Sequence, residues 1–532
     1  MRIPYKYAVA LTAALGLFMA VLDNTIVNVS LVAMQRSFRS NLNTIQWVIT
    51  AYFLAQAAVI PAAGYLSNRF GLKRMFILAL GIFTLGSLLC GLSPDLAGTS
   101  GGESLLIAFR VLQGIGGGML FPLATSISFG AFPPAERAAS SAFVAIPVLL
   151  APTLGPTVGG LIVDSSFGWP WIFFINVPVG AVAITLISLI LRPEPREEAE
   201  AQAAVAGKAR VPFDYLGIVL SMLGVLLIVY AFTLVGETRP GSVSAVSPRG
   251  EIWGWGYWLV WALLAAGAVV LSLFGLYESR RAQDPVLDLH LFREYSFSVA
   301  TFLTWLTRAV VFGSFFLIPV FLEQFLGLSA VRTGLALMPQ GIGAAVGIIT
   351  GSRLYDRIGP KYLVTLGLVT LTFSSWLLTG IDAHTTAWSL APVLFIRGVG
   401  FGWGNLPLQT VALSSVVGRA LPKASSLYNA SAQIFSSIGV AMVSTLFIQS
   451  TTSRAGELMG AARATGSRPA ADLARQAGAY GVSHVFWLLT IGTAITILGG
   501  FLLPRRSIKQ ELQAQGRADG HEAERPSFAA AE

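Results

Sequence analysis

The chain has 532 residues, of which 54% are apolar and only 11% charged, with a mean hydropathy of +0.69. Soluble domains carry roughly a quarter charged residues, so this composition excludes one and reads as an integral membrane protein. The net charge of +9 does not indicate nucleic acid, because the lysines and arginines alternate by loop instead of clustering in one patch or stripe.

Apolar stretches of about 20 residues, the length that crosses a roughly 30 Å hydrocarbon core, occur near 8–29, 44–66, 73–93, 104–127, 137–163, 170–191, 213–236, 254–277, 295–322, 331–352, 361–380, 387–411, 423–450 and 482–503. Helices satisfy their own backbone groups in lipid, so an all-α fold of fourteen spans is expected. The first span begins after Arg2 and Lys6 as a signal peptide would, but its length, Asp23 and the lack of a cleavage site favour retention. The lone cysteine, Cys90, lies in the third span and precludes an intrachain disulfide, and the four histidines show no metal-ligand spacing.

Six spans precede a charged, proline-bearing stretch, and six follow Asp284. The expected organisation is a six-helix bundle over 1–191, a linker over 192–212, an extra helix pair over 213–283, a second bundle over 284–504 and a polar tail over 505–532. With the N-terminus inside, 23 of the 35 lysines and arginines fall in cytoplasmic segments, nine in external loops and three within spans. Both termini are then cytoplasmic; most of the external basic residues sit in the loop 451–481, whose length weakens its vote.

The segment Gly64-Tyr-Leu-Ser-Asn-Arg-Phe-Gly-Leu-Lys-Arg74 is echoed as Ser352-Arg-Leu-Tyr-Asp-Arg-Ile-Gly-Pro-Lys361. Asn68 and Asp356 stand 288 positions apart, and Arg69/Arg357, Gly71/Gly359 and Lys73/Lys361 keep that spacing. Arg110 and Arg397 differ by 287. Such a duplication is how many transporters build two halves that rock about a central site. The repeated loop reads as a gate: Gly64 permits close helix contact, Gly71 a tight turn, and Arg69, Lys73 and Arg74 can meet helix C-termini and acidic lipid. Small residues four apart at Gly114/Gly118, Gly155/Gly159, Gly398/Gly402 and Gly400/Gly404 allow close helix approach. Pro152 and Pro156, interleaved with Gly155, Gly159 and Gly160, are expected to break or kink their helix.

A charge at the bilayer centre costs roughly 2.5–3.5 kcal/mol on insertion scales, so intramembrane ions are functional candidates. They are Asp23, Arg110, Arg308 and Arg397, with Glu323 and Asp164 as solvated helix ends. Asp23 lies about 22 Å along the first span and Arg110 roughly 10 Å into the fourth from the other side, at a similar level. Arg308 stands 285 positions after Asp23, as its repeat counterpart. A carboxylate holds protons less firmly beside an arginine and more firmly when desolvated. Asp23 is therefore the expected proton carrier, against the alternative of a static ion pair. One proton entering down one pH unit and 100 mV supplies about 3.7 kcal/mol, which suits a neutral or monocationic substrate better than a dication.

These segments together resemble the major facilitator superfamily, and within it the fourteen-helix drug:proton antiporters of the EmrB/QacA type, over nearly the whole chain. Leu22-Asp-Asn-Thr-Ile-Val-Asn-Val29 resembles the first-helix motif and Gln46-Trp-Val-Ile-Thr-Ala-Tyr52 the second-helix signature. Gly64–Arg74 is similar to the gating motif, Arg110-Val-Leu-Gln-Gly114 to the fourth-helix arginine motif, Ala151–Gly160 to the fifth-helix antiporter motif and Trp171–Pro178 to the start of the sixth helix. Two departures stand out: Asn68 replaces the usual acid of the gating motif, and Pro170 the arginine common before Trp171.

The resemblance implies alternating-access export of amphipathic, often cationic compounds, with the proton as coupling ion, no other cofactor and no metal. It places the protein in the cell (inner) membrane among lipids and leaves open whether a periplasmic adaptor protein joins it. It also implies a substrate site between the halves, for which Trp47, Tyr52, Gln56, Trp305, Arg308, Phe312, Trp403, Asn405, Gln409, Asn429 and Gln433 are the candidates. Export of one physiological solute, such as a lipid, siderophore or antibiotic, is the neighbouring reading. A polytopic membrane enzyme would call for acidic loop clusters or a large soluble domain, and the sequence has neither.

Overall fold

The computed structural model describes residues 4–40, 42–97, 102–133, 136–163, 165–192, 213–236, 254–280, 285–414, 416, 418, 420–465, 470–506 and 510. Most of the expected linker, the loop 237–253, Asp164 and nearly all of the tail lie outside the described residues. Each expected span coincides with a helix. The first half holds α1 (Tyr5–Phe38), α2 (Leu42–Phe70), α3 (Leu72–Ala97), α4 (Gly102–Ala131), α5 (Arg137–Val163), α6 (Trp171–Phe174) and α7 (Asn176–Ile190). An intervening pair, α8 (Tyr215–Gly236) and α9 (Trp258–Arg280), is followed by α10 (Tyr295–Gln324), α11 (Ala330–Ile358), α12 (Pro360–Leu378), α13 (Ala391–Ser414), α14 (Ala420–Thr465) and α15 (Ala470–Gly500). Among the described residues, twelve segments are long and apolar enough to cross a membrane, α6 and α7 counting as one. The long helices α5 and α13, rich in glycine and proline, are outside those twelve.

The duplication is visible in the packing. Helix α4 packs on α2 and α3 as α13 packs on α11 and α12; α1 lies on α5 as α10 lies on α14; α3 meets α7 as α12 meets α15. Glycine makes these approaches close. A Cβ on Gly116 would stand 2.5 Å from the Phe83 nitrogen of α3, and one on Gly398 2.1 Å from the Gln340 carbonyl of α11. The halves meet along two seams, α5 with α11 and α2 with α14, and α8 lies over the second seam against both of its helices. Gly71 and Gly359, at φ 93° and 82°, occupy the left-handed turns that end α2 and α11. They mark one face of the molecule, which carries both repeated loops and is its basic face.

Three expectations change. Residues 451–481, expected as a loop, are helical up to Thr465 and again from Ala470. Hydropathy sees only the lipid-length part of α14 and α15, whereas the alanine-rich polar flanks keep the helices going on propensity alone. The sixth span is interrupted between α6 and α7, because Pro178 has no N–H to offer the Phe174 carbonyl one turn back. Conversely, α5 runs unbroken through Pro152 and Pro156.

Candidate functional site

A fully buried polar cluster lies in the first half. Asp23 on α1 and Arg110 on α4 are at most 1% exposed, and Arg110 Nη1 lies 2.5 Å from Asp23 Oδ2. One turn along α4, Gln113 accepts from the same Nη1 at 2.7 Å and donates to Asp23 Oδ1 at 2.9 Å. Asn176, which the break before α7 directs inward, donates to Oδ1 at 2.8 Å and to Ser87 Oγ on α3 at 3.0 Å. Arg110 Nε donates to the Val48 carbonyl of α2 at 3.0 Å, and its guanidinium lies 4.1 Å from the centre of the Tyr52 ring. The Asp23 oxygens therefore receive three donors drawn from α4 and α7 inside a sealed site. An ionised carboxylate accepts all three, while a protonated one carries a hydrogen of its own that needs an acceptor in a site filled with donors. Protonation would also strip Arg110 of its counter-charge, and breaking a buried pair in this way costs about 3–5 kcal/mol.

The second half repeats the arginine without the acid. Arg397 on α13 is 1% exposed and donates to Ser375 Oγ on α12 at 2.7 Å and to Ser314 Oγ on α10 at 2.5 Å. In space, then, Ser314 takes the part that Asp23 takes in the first half, and the expected equivalence of Arg308 with Asp23 does not hold. Two guanidinium groups could not share that site without repulsion. Arg308 instead lies six residues away along α10, about 9 Å nearer the basic face.

The repeated loops fasten each half to itself. Lys73 Nζ donates to the carbonyls of Ser188 and Leu191 at the end of α7, at 2.7 and 2.5 Å. Lys361 is likewise held at the end of α15, its N–H donating to the Pro504 carbonyl at 3.3 Å. Gln510 donates to the carbonyls of Asp356 and Arg357 at 2.9 and 3.2 Å. Asn68 and Arg69 are half-buried and Arg74 is exposed. Of the first loop, Gly64 bears most directly on the opposite half: its Cβ would stand 2.4 Å from the Pro422 carbonyl of α14. A stronger junction was missed from sequence. Arg137, at the start of α5, places Nη1 2.9 Å from the Leu413 carbonyl, 3.0 Å from that of Ser414 and 2.9 Å from that of Val416, at the end of α13. Ser141 and Thr410 share a hydrogen bond of 2.8 Å one turn further in. The halves are thus bonded to each other on the basic face.

The first two glycines of the Gly155, Gly159 and Gly160 set seat α1. A Cβ on Gly155 would fall 2.0 Å from Thr25 Oγ1 and one on Gly159 3.1 Å from Ile26 Cγ2, two and three residues beyond Asp23. Gly160 faces the other half, 2.6 Å from Val331 Cγ2 of α11. The expected substrate residues do not all converge. Tyr52 and Gln56 are buried in the first half, and Trp47 is turned outward, its ring 6.1 Å from Tyr230 of α8. Trp403 donates to Thr350 Oγ1 on α11 at 2.9 Å. Trp305 stacks on Phe435 at 4.7 Å, and Asn429 bonds back to the Ser425 carbonyl of its own helix. Gln409 is buried, whereas Arg308, Phe312, Asn405 and Gln433 keep partial exposure.

A sequence model of the Major Facilitator Superfamily matches residues 13–440. The chain belongs to the major facilitator superfamily. It is a multi-pass membrane transporter and not an enzyme. The multidrug export protein EmrB of Escherichia coli (strain K12) is 31% identical over 451 residues, covering 82% of this chain and 80% of the relative. The fatty acid resistance protein FarB of Neisseria gonorrhoeae is 32% identical over 440 residues, with the same coverage of 82% and 80%. The proton:xylose symporter XylE of Escherichia coli superposes over 96% of this chain and 99% of its own, with a TM-score of 0.61 at 14% identity, a likeness of fold.

Proposed function

We propose that this major-facilitator protein is a proton-coupled exporter of amphipathic small molecules. The observation that carries this reading is the sealed Asp23–Arg110–Gln113–Asn176 cluster. A single buried acid, held by donors from two other helices, is a switch that a proton resets. Helix α1 lies on α5 through Gly155 and Gly159, and α5 lies on α11 of the other half. A change in the pairing of Asp23 therefore has a mechanical route to the seam between halves. No cofactor beyond the proton is needed.

Counting α5 and α13 as spans, since each is packed within its half, gives fourteen crossings: a bundle over 1–191, the pair over 213–283 and a bundle over 284–504. The basic face is assigned to the cytoplasm and both termini with it, in the inner membrane. EmrB, a relative named for multidrug export, supports a broad substrate range, and a periplasmic adaptor remains an open partner. FarB, a relative named for fatty acid resistance, favours a second, narrower reading, export of one lipid-like solute. Uptake competition across chemically dissimilar compounds separates the two.

The test uses the full chain in proteoliposomes with an imposed pH gradient. Asp23→Asn is expected to abolish gradient-driven transport, with substrate binding retained within a few-fold, and Arg110→Ala to uncouple it similarly. An Asp23→Asn protein that still concentrates substrate against its gradient ends the assignment.

A further inference from the structure

Among the described residues, Arg308 is the intramembrane charge that neither the proton switch nor the scaffold absorbs. It is the fourteenth of the 30 residues of α10, and so sits near the middle of the span. The packing of its helix fixes the direction it faces. Helix α15 covers one side of α10, with Gly499 against Leu303 and Gly492 against Val310. Helix α14 covers another, Gly439 meeting Ala309 and Gly313 meeting Val443, while Ser314, held by Arg397 of α13, lies beside the α15 contacts. At 100° per residue, Arg308, Phe312 and Phe315 share the side left over, opposite α15. Phe312 and Phe315 pack against a buried apolar cluster that also holds Tyr65, Phe129 and Ala138 of the first half, so this side looks toward the other half.

The surroundings of Arg308 are aromatic and carry no carboxylate. Its guanidinium lies 5.0 Å from the centre of the Phe312 ring. Phe315 stands 5.6 Å from Phe312 and 5.9 Å from Phe401 of α13, continuing the apolar wall. Tyr428 on α14 interacts with it electrostatically, and the Tyr428 hydroxyl is already bonded to Thr304 at 3.0 Å. Arg308 Nε is buried without a hydrogen-bond partner, and among the described residues Arg308 forms no ion pair. Asp23 cannot serve it, since both its oxygens are taken by Arg110, Gln113 and Asn176. A cation kept half-buried at mid-membrane without a counter-charge is expensive. What it lacks is an anion.

Resting on the exporter reading above, we propose that Arg308 binds the anionic head of the transported molecule while Phe312, Phe315 and Phe401 hold its apolar body, so that the preferred substrates are amphipathic anions. Guanidinium suits the task, offering several donors in one plane to a carboxylate or sulfonate. The energetics agree: with a proton entering, an exported monoanion leaves down the same membrane potential that draws the proton in, whereas a monocation leaves against it.

The test is equilibrium binding to the purified full chain in an uncharged detergent, corrected for partition into protein-free micelles. The probes are decanesulfonate and decyltrimethylammonium, matched in chain length and opposite in charge. Wild type is expected to bind the anion about tenfold or more tighter, the scale of one charge-assisted contact. Arg308→Gln should bring the two within about twofold, Arg308→Lys should keep the preference, and Phe312→Ala should weaken both ions alike. Equal binding or cation preference by wild type overturns the proposal without any variant, as does an Arg308→Gln protein that still favours the anion. Substrate-dependent proton movement in proteoliposomes scores the exporter reading separately. A protein that couples protons to the cation alone refutes the anion site and leaves the exporter standing, whereas anion preference without proton movement does the reverse.

Discussion

Arg110 and Arg397 occupy repeat-related positions with opposite chemistry. The first faces an acid and two amides; the second faces two hydroxyls, each of which donates its own hydrogen to the backbone, Ser314 to Val311 and Ser375 to Leu371. Removing Arg397 therefore strands no acid and leaves both serines bonded. Arg397→Met, similar in volume and without a desolvated charge, is expected to leave the melting temperature in detergent unchanged or higher, and to keep transport coupled to the pH gradient. A fall of several degrees together with loss of coupling would show that Arg397 shares the task of Arg110. At this scale the sequence was legible where charge was involved, because an ion in an apolar span declares its cost. Asp23 and Arg110 could be paired from depth alone. Gln113 and Asn176 were inside quoted motifs yet not singled out, since a neutral amide costs less to bury and nothing in the pattern tells which way it turns. The signal was there in part: Gln113 stands three residues from Arg110, on the same helical face.

Helix contacts were partly written in the glycines. Spacings of four announced close approach, and the structure supplies the partners: α2 and α3 for α4, α11 and α12 for α13, and α1 for the first two glycines of the α5 motif. Partner identity was not readable, because a glycine says that something is near without saying what. The partners rank the consequences of substitution. Gly155→Ala must displace Thr25, whose Oγ1 would lie 2.0 Å from the new carbon and which is bonded to the Ala151 carbonyl at 3.1 Å. Gly160→Ala meets only the end of the Val331 side chain at 2.6 Å, which can rotate away. In the proteoliposome assay Gly155→Ala is expected to lose most gradient-driven transport, about tenfold or more if α1 shifts by an ångström. Gly160→Ala should keep at least half of it. Equal effects would deny that α5 positions the helix of Asp23. The extended ends of α14 and α15 were illegible for a different reason: hydropathy measures fit to lipid and is silent once a helix leaves it.

Across the whole molecule the duplication was the most readable feature, since two copies of one loop at a fixed offset imply two copies of the bundle between them. How the halves lock was hidden. Arg137 reads as one more basic residue at a helix start, and its partners are backbone carbonyls that leave no trace in residue type. Yet its side chain is 4% exposed and spans the halves, with its charge at the negative end of the α13 dipole. A buried cation at a helix C-terminus contributes up to about 2 kcal/mol, so Arg137→Ala should raise the population open on the basic face by roughly tenfold or more. Spin labels at Gly130→Cys, where a Cβ meets nothing within 4 Å, and at Tyr362→Cys, 52% exposed, report the separation of the halves on that face. The native Cys90 is fully buried and stays unlabelled. Loss of the Arg137 side chain is expected to add a longer distance to the distribution, and to do so in an Asp23→Asn background as well, because the bonds from Arg137 to the end of α13 do not pass through Asp23. An unchanged distribution would mean that the closed face is held by the packing of Gly64 against α14 and of α8 over the seam, with Arg137 only following it.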